Sequence, residues 1–425
     1  MISRKKFLKT SLLGAAGLSI AGCNYSSNNL ENKTYEEIIL EAKNATANDE
    51  TFWKKVKTLF PVSEDVINLN NGAVSSHAVL VQKAWQEANT LSNKAPSHHM
   101  WNEVATQREI LRKELAEYLN CNAEEIAFNR NTTEALNTII FGIPLSKGDE
   151  VILSNYDYTH MINAWKQRAE RDGIVLKWVT LELPETNEEI ILQKFISQIS
   201  VKTKVIHITH VINWTGQILP AEKIIQHANN LGIETIVDAA HSFAQMPLNI
   251  QKLNCDYLAA PGHKWLGSIF GTGFLFIKKQ HISKTYPLLS AFESQKNDIR
   301  KFETLGTRPF ANEVAFLEAL HIHKAIGQKL IQQRLQFLTK YWLEKINKIN
   351  GINSYTEIKN CNALAAIHIE NISAAAVEKK LLKNHNIHVG IVKHENVNGI
   401  RISPHIYTGT EDLDKLIEAL KAIVA

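Results

Sequence analysis

The sequence predicts an α/β protein with two parts: a large domain built on a mostly parallel seven-stranded sheet between helices, and a smaller C-terminal α+β domain. Between residues 61 and 300, short apolar runs alternate with amphipathic stretches, which is the pattern of strand–helix–strand units in a parallel sheet. From 301 to 425 the pattern changes to a long helix over 313–349, short strands and a closing helix over 411–424. The runs expected to form the large sheet are 125–128, 150–153, 175–179, 205–208, 235–237, 257–259 and 274–277.

Residues 1–23 have the composition of an export signal. A basic start is followed by an apolar run, Leu12–Ile20, and by small residues before Cys23. The apolar run is about half of the roughly 20 residues that a membrane-spanning helix needs. Residues 3–9 resemble a twin-arginine signal with lysine at the second position, and residues 20–23 resemble a lipobox. We therefore expect export, lipidation of Cys23 and anchoring to a membrane; Lys5 leaves the general secretory route open, and a frayed cytosolic N-terminus is the alternative.

Residues 24–60 are expected to connect this signal to the folded body. The stretch 24–33 is rich in Asn and Ser, as in a flexible tether. Helical patterning begins near Tyr35, which predicts an N-terminal helix before the large domain starts at residue 61.

Charge and cysteine content exclude several functional classes. The formal net charge of +4 is accounted for by four basic residues near the N-terminus, so the rest of the chain has no electrostatic reason to bind nucleic acid. The other cysteines, Cys121, Cys255 and Cys361, are widely spaced and form no CxxC pair. Pairs of histidines lack neighbouring cysteines or acidic clusters. We therefore expect neither a disulfide framework nor a metal site.

Lys264 follows an apolar strand and a tight turn in the segment Ala260-Pro261-Gly262-His263-Lys264-Trp265. A lysine held by rigid backbone and partly desolvated can act as a Schiff-base nucleophile, because its neutral form is accessible. Taken alone, the same turn is equally compatible with a surface loop.

Asp238 stands at the carboxyl end of another apolar strand, in Ile236-Val237-Asp238-Ala239-Ala240-His241, and ligands of open α/β sheets bind at that edge. An acid there can keep a pyridine nitrogen protonated, so that the ring becomes an electron sink. The alternative is a helix N-cap. The presence of Lys264 after the next strand favours a cofactor, and His241 either donates to its phenolic oxygen or packs.

Thr132 and Thr133 open a predicted helix after a strand, in Asn129-Arg130-Asn131-Thr132-Thr133-Glu134. Backbone N–H groups at a helix start bind phosphate well. Asn131 and Glu134 also match a capping box, and both interpretations can hold together.

In this order, the segments resemble fold-type I pyridoxal-phosphate enzymes of class V, most closely the isopenicillin N epimerase-like and cysteine desulfurase-like branch. The resemblance begins at Leu69-Asn70-Asn71-Gly72-Ala73 and continues to the C-terminus. It implies pyridoxal 5′-phosphate as cofactor, bound covalently by Lys264, with Asp238 at the pyridine nitrogen. The other cofactor contacts that the resemblance implies are His241 and Asn213 near the phenolic oxygen, and Thr132, Thr133 and His263 at the phosphate.

The resemblance also implies residues that face the substrate and a second subunit. Tyr158 corresponds to an aromatic residue that stacks on the cofactor ring; an ordinary core tyrosine is the less favoured alternative. Arg401 corresponds to the clamp on an amino acid's α-carboxylate, a role that suits the guanidinium fork, and Asn71 is expected beside the same substrate. Thr307, after Gly306, corresponds to a segment that reaches the partner subunit's phosphate, which implies a homodimer with shared active sites.

Two departures from the family pattern affect the expected reaction. Pro261 replaces a serine that often binds phosphate, and residues 388–399 lack the mobile catalytic cysteine of desulfurases. We therefore expect an aminotransferase or epimerase that acts at the α-carbon of an amino acid through a Lys264 Schiff base. The alternatives are a β-lyase or desulfurase-like enzyme, and a lipid-anchored binding protein on a degenerate scaffold of the same family.

Overall fold

The computed structural model describes residues 30–424. The expected export signal with Cys23, and residues 24–29 of the expected tether, lie outside the described residues. Among the described residues the first helix begins at Leu30, so residues 30–33 are helical rather than part of a flexible tether.

The large sheet has seven strands in the order β2-β8-β7-β6-β5-β3-β4. Neighbours pair in parallel except at β8, which runs antiparallel to β2 and to β7. The predicted fold class is confirmed, since each predicted run forms one of these strands. The large-sheet and preceding strands are β1 (Ile67–Asn68), β2 (Ile126–Asn129), β3 (Glu150–Ser154), β4 (Val175–Val179), β5 (Thr203–Thr209), β6 (Glu234–Asp238), β7 (Tyr257–Pro261) and β8 (Gly273–Ile277).

Helices cover both faces of this sheet, whose central strands are almost entirely buried, as expected for parallel strands between helical layers. The helices up to residue 282 are α1 (Leu30–Glu41), α2 (Glu50–Lys57), α3 (Val79–Lys94), α4 (Pro96–His99), α5 (Gln107–Leu119), α6 (Thr132–Gly142), α7 (Thr159–Asp172), α8 (Glu188–Ile196), α9 (Ala221–Asn230), α10 (Ile250–Leu253) and α11 (Lys279–Ile282). A π-helical turn, Met100–Val104, follows α4 directly.

The single long helix predicted over 313–349 is wrong. Two helices, α12 (Ala311–Ile326) and α13 (Gln328–Ile346), meet at Gly327, where φ is +100°. Because that conformation is unfavourable for any residue with a Cβ, glycine permits the break that an apolar helical periodicity does not reveal.

A second sheet lies near the C-terminus, with the antiparallel order β12-β13-β10-β9. Its helices pack on it around a separate cluster of buried residues that includes Leu338, Trp342, Ile400 and Leu416. The elements of this region are β9 (Ile352–Ser354), β10 (Ala365–Ile369), α14 (Ala374–His385), β11 (Ile387–His388), β12 (Gly390–His394), β13 (Val397–Ile402) and α15 (Thr410–Val424). Strand β1 pairs in parallel with β11 and so brings the segment after residue 68 beside β13. None of the helices within residues 30–424 combines the length and apolar character needed to cross a bilayer.

Candidate active site

A cleft of about 380 Å³ opens at the carboxyl edge of the large sheet. This volume lies in the range typical of small-molecule sites. Strands β3, β5, β6 and β7 all end at this edge because they run parallel, and helix α6 begins there. Nine of the predicted site residues line the cleft: Thr132, Thr133, Tyr158, Asn213, Asp238, His241, His263, Lys264 and Arg401.

The Lys264 side chain enters the cleft from a tightly constrained turn after β7. The backbone N–H of Gly262 donates to the carbonyl of Thr272 at 2.8 Å. A Cβ on Gly262 would lie 2.6 Å from Thr272 Oγ1, so glycine is required for this close approach. Burial, followed by the positive charge of Arg401, lowers the pKa of Lys264 to about 8. The turn therefore holds an amine whose neutral form is more accessible near neutral pH than that of an ordinary lysine.

Asp238 is buried at the end of β6 and faces the same cleft. One of its oxygens accepts the backbone N–H of Ala240 at 2.9 Å, and the described residues offer the other oxygen no hydrogen bond. The helix-cap alternative is excluded, because a turn follows Asp238 and the next helix begins only at Ile250. Burial raises the pKa of Asp238, while the charge of Lys264 opposes that rise.

His241 lies between Lys264 and Trp265. Its Nε2 is 3.3 Å from Lys264 Nζ, and its Nδ1 accepts the indole N–H of Trp265 at 3.3 Å. The ring is buried, and this burial, followed by the charges of Lys264 and Arg401, lowers the pKa of His241 well below its ordinary value. His241 is therefore neutral and oriented by two contacts.

The start of helix α6 forms another wall of the cleft. Asn131 is its N-cap and accepts the backbone N–H of Glu134 at 2.9 Å. Thr132 is buried and its hydroxyl has no partner among the described residues. His263 is neutral, because burial and then Lys264 lower its pKa to about 4, and its Nδ1 lies 3.1 Å from the Thr272 carbonyl. This wall combines free backbone donors with a hydroxyl and an imidazole, a set that suits a phosphate.

Arg401 closes the opposite side of the cleft from strand β13. It donates to the carbonyl of Asn213 at 2.9 Å and to Asn70 Oδ1 at 3.1 Å, while its Nε has no partner among the described residues. Gly390 on the paired strand makes room for this arrangement, since a Cβ there would lie 2.8 Å from Asn70 Oδ1. Burial lowers the pKa of Arg401 to about 10, so the guanidinium stays charged at neutral pH with donors left for an anion.

Tyr158 lines the cleft and is 36% exposed, so it is not an ordinary core tyrosine. The preceding residue, Asp157, anchors the turn after β3, because its carboxylate accepts the Thr209 hydroxyl at 2.7 Å and the Ser154 backbone N–H at 2.8 Å. Burial raises the pKa of Asp157 to about 7.

The structure places two predicted site residues outside the cleft lining. Asn71 is fully buried, and its amide donates to the carbonyls of Asn68 and Ser403 while its oxygen accepts from Tyr407. These hydrogen bonds fix the backbone next to Gly72, which lines the cleft. The prediction that Asn71 contacts the substrate is therefore wrong, and the residue supports the wall of the cleft instead. Thr307 lines a different hollow together with Leu289 and Arg308.

Three residues of this region were missed as site residues by sequence reasoning. Asn70 directly precedes Asn71 and accepts a hydrogen bond from Arg401, and Asp157 directly precedes Tyr158 and anchors the turn from which that tyrosine projects. Trp265, the residue after the lysine, contacts His241. Their adjacency to predicted site residues was the one signal in the sequence. It could not reveal their contacts, because the partners of Trp265 and Asn70, which are His241 and Arg401, are distant in the chain.

The described cysteines lie away from Lys264. Cys255 and Cys361 are buried, Cys121 is partly buried, and none of the three lines the cleft. The segment that precedes Arg401 is a short hairpin, since only residues 395–396 separate β12 from β13. Within residues 30–424, one group of potential metal ligands occurs, where atoms of His98, His99 and Glu103 lie within 4.8 Å of one another outside the cleft lining.

Comparison with sequence families and curated proteins identifies relatives across most of the chain. Residues 67–416 match the family model of class V aminotransferases. Isopenicillin N epimerase from Streptomyces clavuligerus is 26% identical over 394 residues, which cover 87% of this chain and 98% of the relative. A probable cysteine desulfurase from Halalkalibacterium halodurans is 28% identical over 398 residues, covering 86% of this chain and 97% of the relative.

Solved structures show the same fold. A variant of C-DES with glycine covalently linked to its PLP cofactor has a TM-score of 0.78 at 20% identity, covering 86% of this chain and 98% of that chain. The apo cysteine desulfurase from Thermococcus onnurineus has a TM-score of 0.78 at 24% identity, covering 87% of this chain and 97% of that chain.

Proposed function

This chain belongs to the class V aminotransferase family and uses pyridoxal 5′-phosphate, and on that premise we propose that it moves the α-proton of an amino acid, as an aminotransferase or an epimerase. One observation carries the proposal: the half-buried Lys264 and the buried Asp238 and Arg401 line a single cleft. An amine, an acid and a guanidinium in that arrangement match the three needs of the reaction, which are a base, a partner for the cofactor's pyridine nitrogen, and a carboxylate clamp.

The cleft suits the cofactor chemically. Buried polar atoms that lack partners among the described residues, namely Thr132 Oγ1, Asn213 Oδ1 and Arg401 Nε, require a polar ligand to satisfy them. Thr132, Thr133 and His263 would hold the phosphate, and Asp238 would pair with the pyridine nitrogen. When bound, the cofactor supplies an electron sink next to the substrate's α-carbon.

The residues of the chain divide the work of proton transfer. Arg401 binds the α-carboxylate and so orients the Cα–H bond, a role for which its remaining N–H donors are available. Lys264 takes the α-proton at Nζ, and its lowered pKa keeps a neutral amine available for that task. Tyr158 covers one side of the cleft and excludes water. Return of the proton to the opposite face of the same carbon would give epimerisation, and net transfer of the amino group would give transamination.

Sulfur transfer through a cysteine persulfide has no support in this cleft. The thiols of Cys121, Cys255 and Cys361 lie outside its lining, and burial raises the pKa of each of them, which disfavours the reactive thiolate. Elimination of a β-substituent needs no cysteine, so it is an alternative outcome of the test.

The purified protein should be incubated with a panel of L- and D-amino acids in deuterium oxide. We expect α-deuterium exchange, accompanied by keto acid for an aminotransferase or by inversion for an epimerase. The Lys264→Ala variant should lose both exchange and the covalent trapping of the cofactor by borohydride. Release of a β-substituent with pyruvate would replace the proposal by a lyase. Absence of trapping and exchange in the wild type would favour the binding protein.

We further propose that two copies of the chain pair through the surface around Thr307. Leu289 lines the same hollow as Thr307 and is 53% exposed. Three further exposed aromatic residues are close in sequence to Leu289 or to Gly271 of that hollow, namely Phe270 (58%), Tyr286 (71%) and Phe292 (74%). Exposed apolar groups of this size are typical of interfaces. Sedimentation should give a dimer for the wild type and a monomer for Leu289→Glu combined with Phe292→Glu; an unchanged dimer would move the interface elsewhere.

Export and lipid anchoring remain our proposal for residues 1–23, based on the order of basic, apolar and small residues before Cys23. Cells that express the full chain should carry it in the membrane fraction and label it with radioactive palmitate. The Cys23→Ser variant should lose the label. Equal labelling of both proteins would overturn the assignment of the lipidation site.

A further inference from the structure

Trp265, the residue after Lys264, makes a directional contact with His241 and takes no direct part in the proposed proton transfer. The indole N–H of Trp265 donates to His241 Nδ1 at 3.3 Å. Trp265 is 1% exposed, and its ring stacks at 5.9 Å and 6° on His405. His405 is neutral, because burial lowers its pKa to about 3. The indole is therefore held rigidly with its N–H directed at the imidazole.

An indole nitrogen can only donate, so the Nδ1 atom that it faces must carry a lone pair. A neutral imidazole with a lone pair on Nδ1 carries its proton on Nε2. The Nε2 atom lies 3.3 Å from Lys264 Nζ. His241 thus presents an N–H, and an amine can accept that hydrogen bond only when it is unprotonated.

We propose that Trp265 is a positioning residue that fixes the tautomer of His241, so that the Nε2–H of His241 stabilises the neutral amine of Lys264. In the opposite tautomer, Nε2 would accept a hydrogen bond from the ammonium and would favour the charged form. The indole N–H of Trp265 thereby acts on Lys264 only through the imidazole of His241 and forms no hydrogen bond with the amine itself.

The other groups around the lysine do not duplicate this effect. Arg401 disfavours the ammonium through its charge, Asp238 favours it, and His263 is neutral. Tyr158 also lines the cleft. Among these residues, His241 alone forms a hydrogen bond with Nζ. The inference rests on the proposed function only in assigning a purpose to the neutral amine.

The test uses the variant Trp265→Phe, which keeps an aromatic ring but removes the N–H together with part of the indole, so the control must make the same loss of volume at another buried tryptophan. The matched control is Trp165→Phe, because Trp165 donates to Nδ1 of another buried histidine, His207, at 3.4 Å, and neither residue lines the cleft. Nitrogen-15 spectra of histidine-labelled protein, assigned with His241→Asn, report the tautomer directly. Competitive acetylation of the cofactor-free protein across pH, read by mass spectrometry, gives the pKa of Lys264.

We expect the Nε2–H tautomer at His241 in the wild type and in Trp165→Phe. In Trp265→Phe we expect a mixture or reversal of tautomers and a rise in the pKa of Lys264 of about one unit, the size of one hydrogen bond. An Nδ1–H tautomer in the wild type would overturn the proposal, even if no variant folded. An unchanged tautomer and pKa in folded Trp265→Phe would do the same. Neither readout involves a substrate, so a failure of the proposed reaction would be seen separately.

Discussion

Replacing Arg401 with glutamine tests the carboxylate clamp most directly. A guanidinium has five N–H donors, and two of those of Arg401 are used by the Asn213 carbonyl and Asn70 Oδ1. Three remain, among them the Nε–H that has no partner within the described residues. Two of these can meet a carboxylate in the bidentate geometry that arginine favours.

The expected loss follows from those two bonds. A hydrogen bond to a charged group contributes about 1.5–3 kcal/mol, so removing two costs about 3–6 kcal/mol. That corresponds to a fall of roughly 10²- to 10⁴-fold in kcat/KM for an amino acid. Since the ionic contact also exists before the reaction, much of the fall should appear as a higher KM.

The assay compares an amino acid with the amine that lacks its carboxylate. With the amino acid, Arg401→Gln should react more slowly than the wild type. With the amine, which the wild type already converts slowly, the two proteins should react at the same rate. Arg171→Gln is the control, because Arg171 is an exposed surface residue paired with Asp172. Circular dichroism establishes that the variant is folded. Equal losses with both substrates, or no loss with the amino acid, would refute the assignment.

Three further predictions concern other residues. Asp238→Asn should slow α-deuterium exchange by roughly 10²- to 10³-fold, because a buried charge opposite the reacting ring is lost; retention of the wild-type rate would contradict this. Gly216→Ala should lower the free energy of unfolding in urea by about 2–4 kcal/mol, because φ is +81° and the new Cβ would lie 2.0 Å from the Leu364 carbonyl oxygen. Burial lowers the pKa of His321, but hydrogen bonds to Glu114 and to a second glutamate outweigh it and raise the value to about 9. Its stabilisation is therefore full below about pH 6.5 and is lost as pH rises through 9, and His321→Gln should remove that dependence in urea titrations.

The elements that could be predicted are those whose information is local. Each apolar run of the large sheet became a strand, because burial between two helical layers imposes the same composition on any such strand. The break at Gly327 was missed, since apolar spacing continues on both sides of it and only the backbone conformation reveals the change of direction. Asn71 was expected to face the substrate, but neighbours from the C-terminal region, Ser403 and Tyr407, use its hydrogen-bonding atoms.

By itself, the sequence determined the layered fold and the identity of the groups that can perform the chemistry, because strand ends, turns and helix starts are encoded within a few residues. The tertiary structure alone decided how those groups are tuned. Arg401 is oriented by Asn213 and Asn70, which precede it by 188 and 331 positions in the chain. Trp265 and His241 meet only because β6 and β7 end side by side. Hydrogen-bond direction and desolvation depend on such distant neighbours, and these set the protonation states of the lysine and the imidazole.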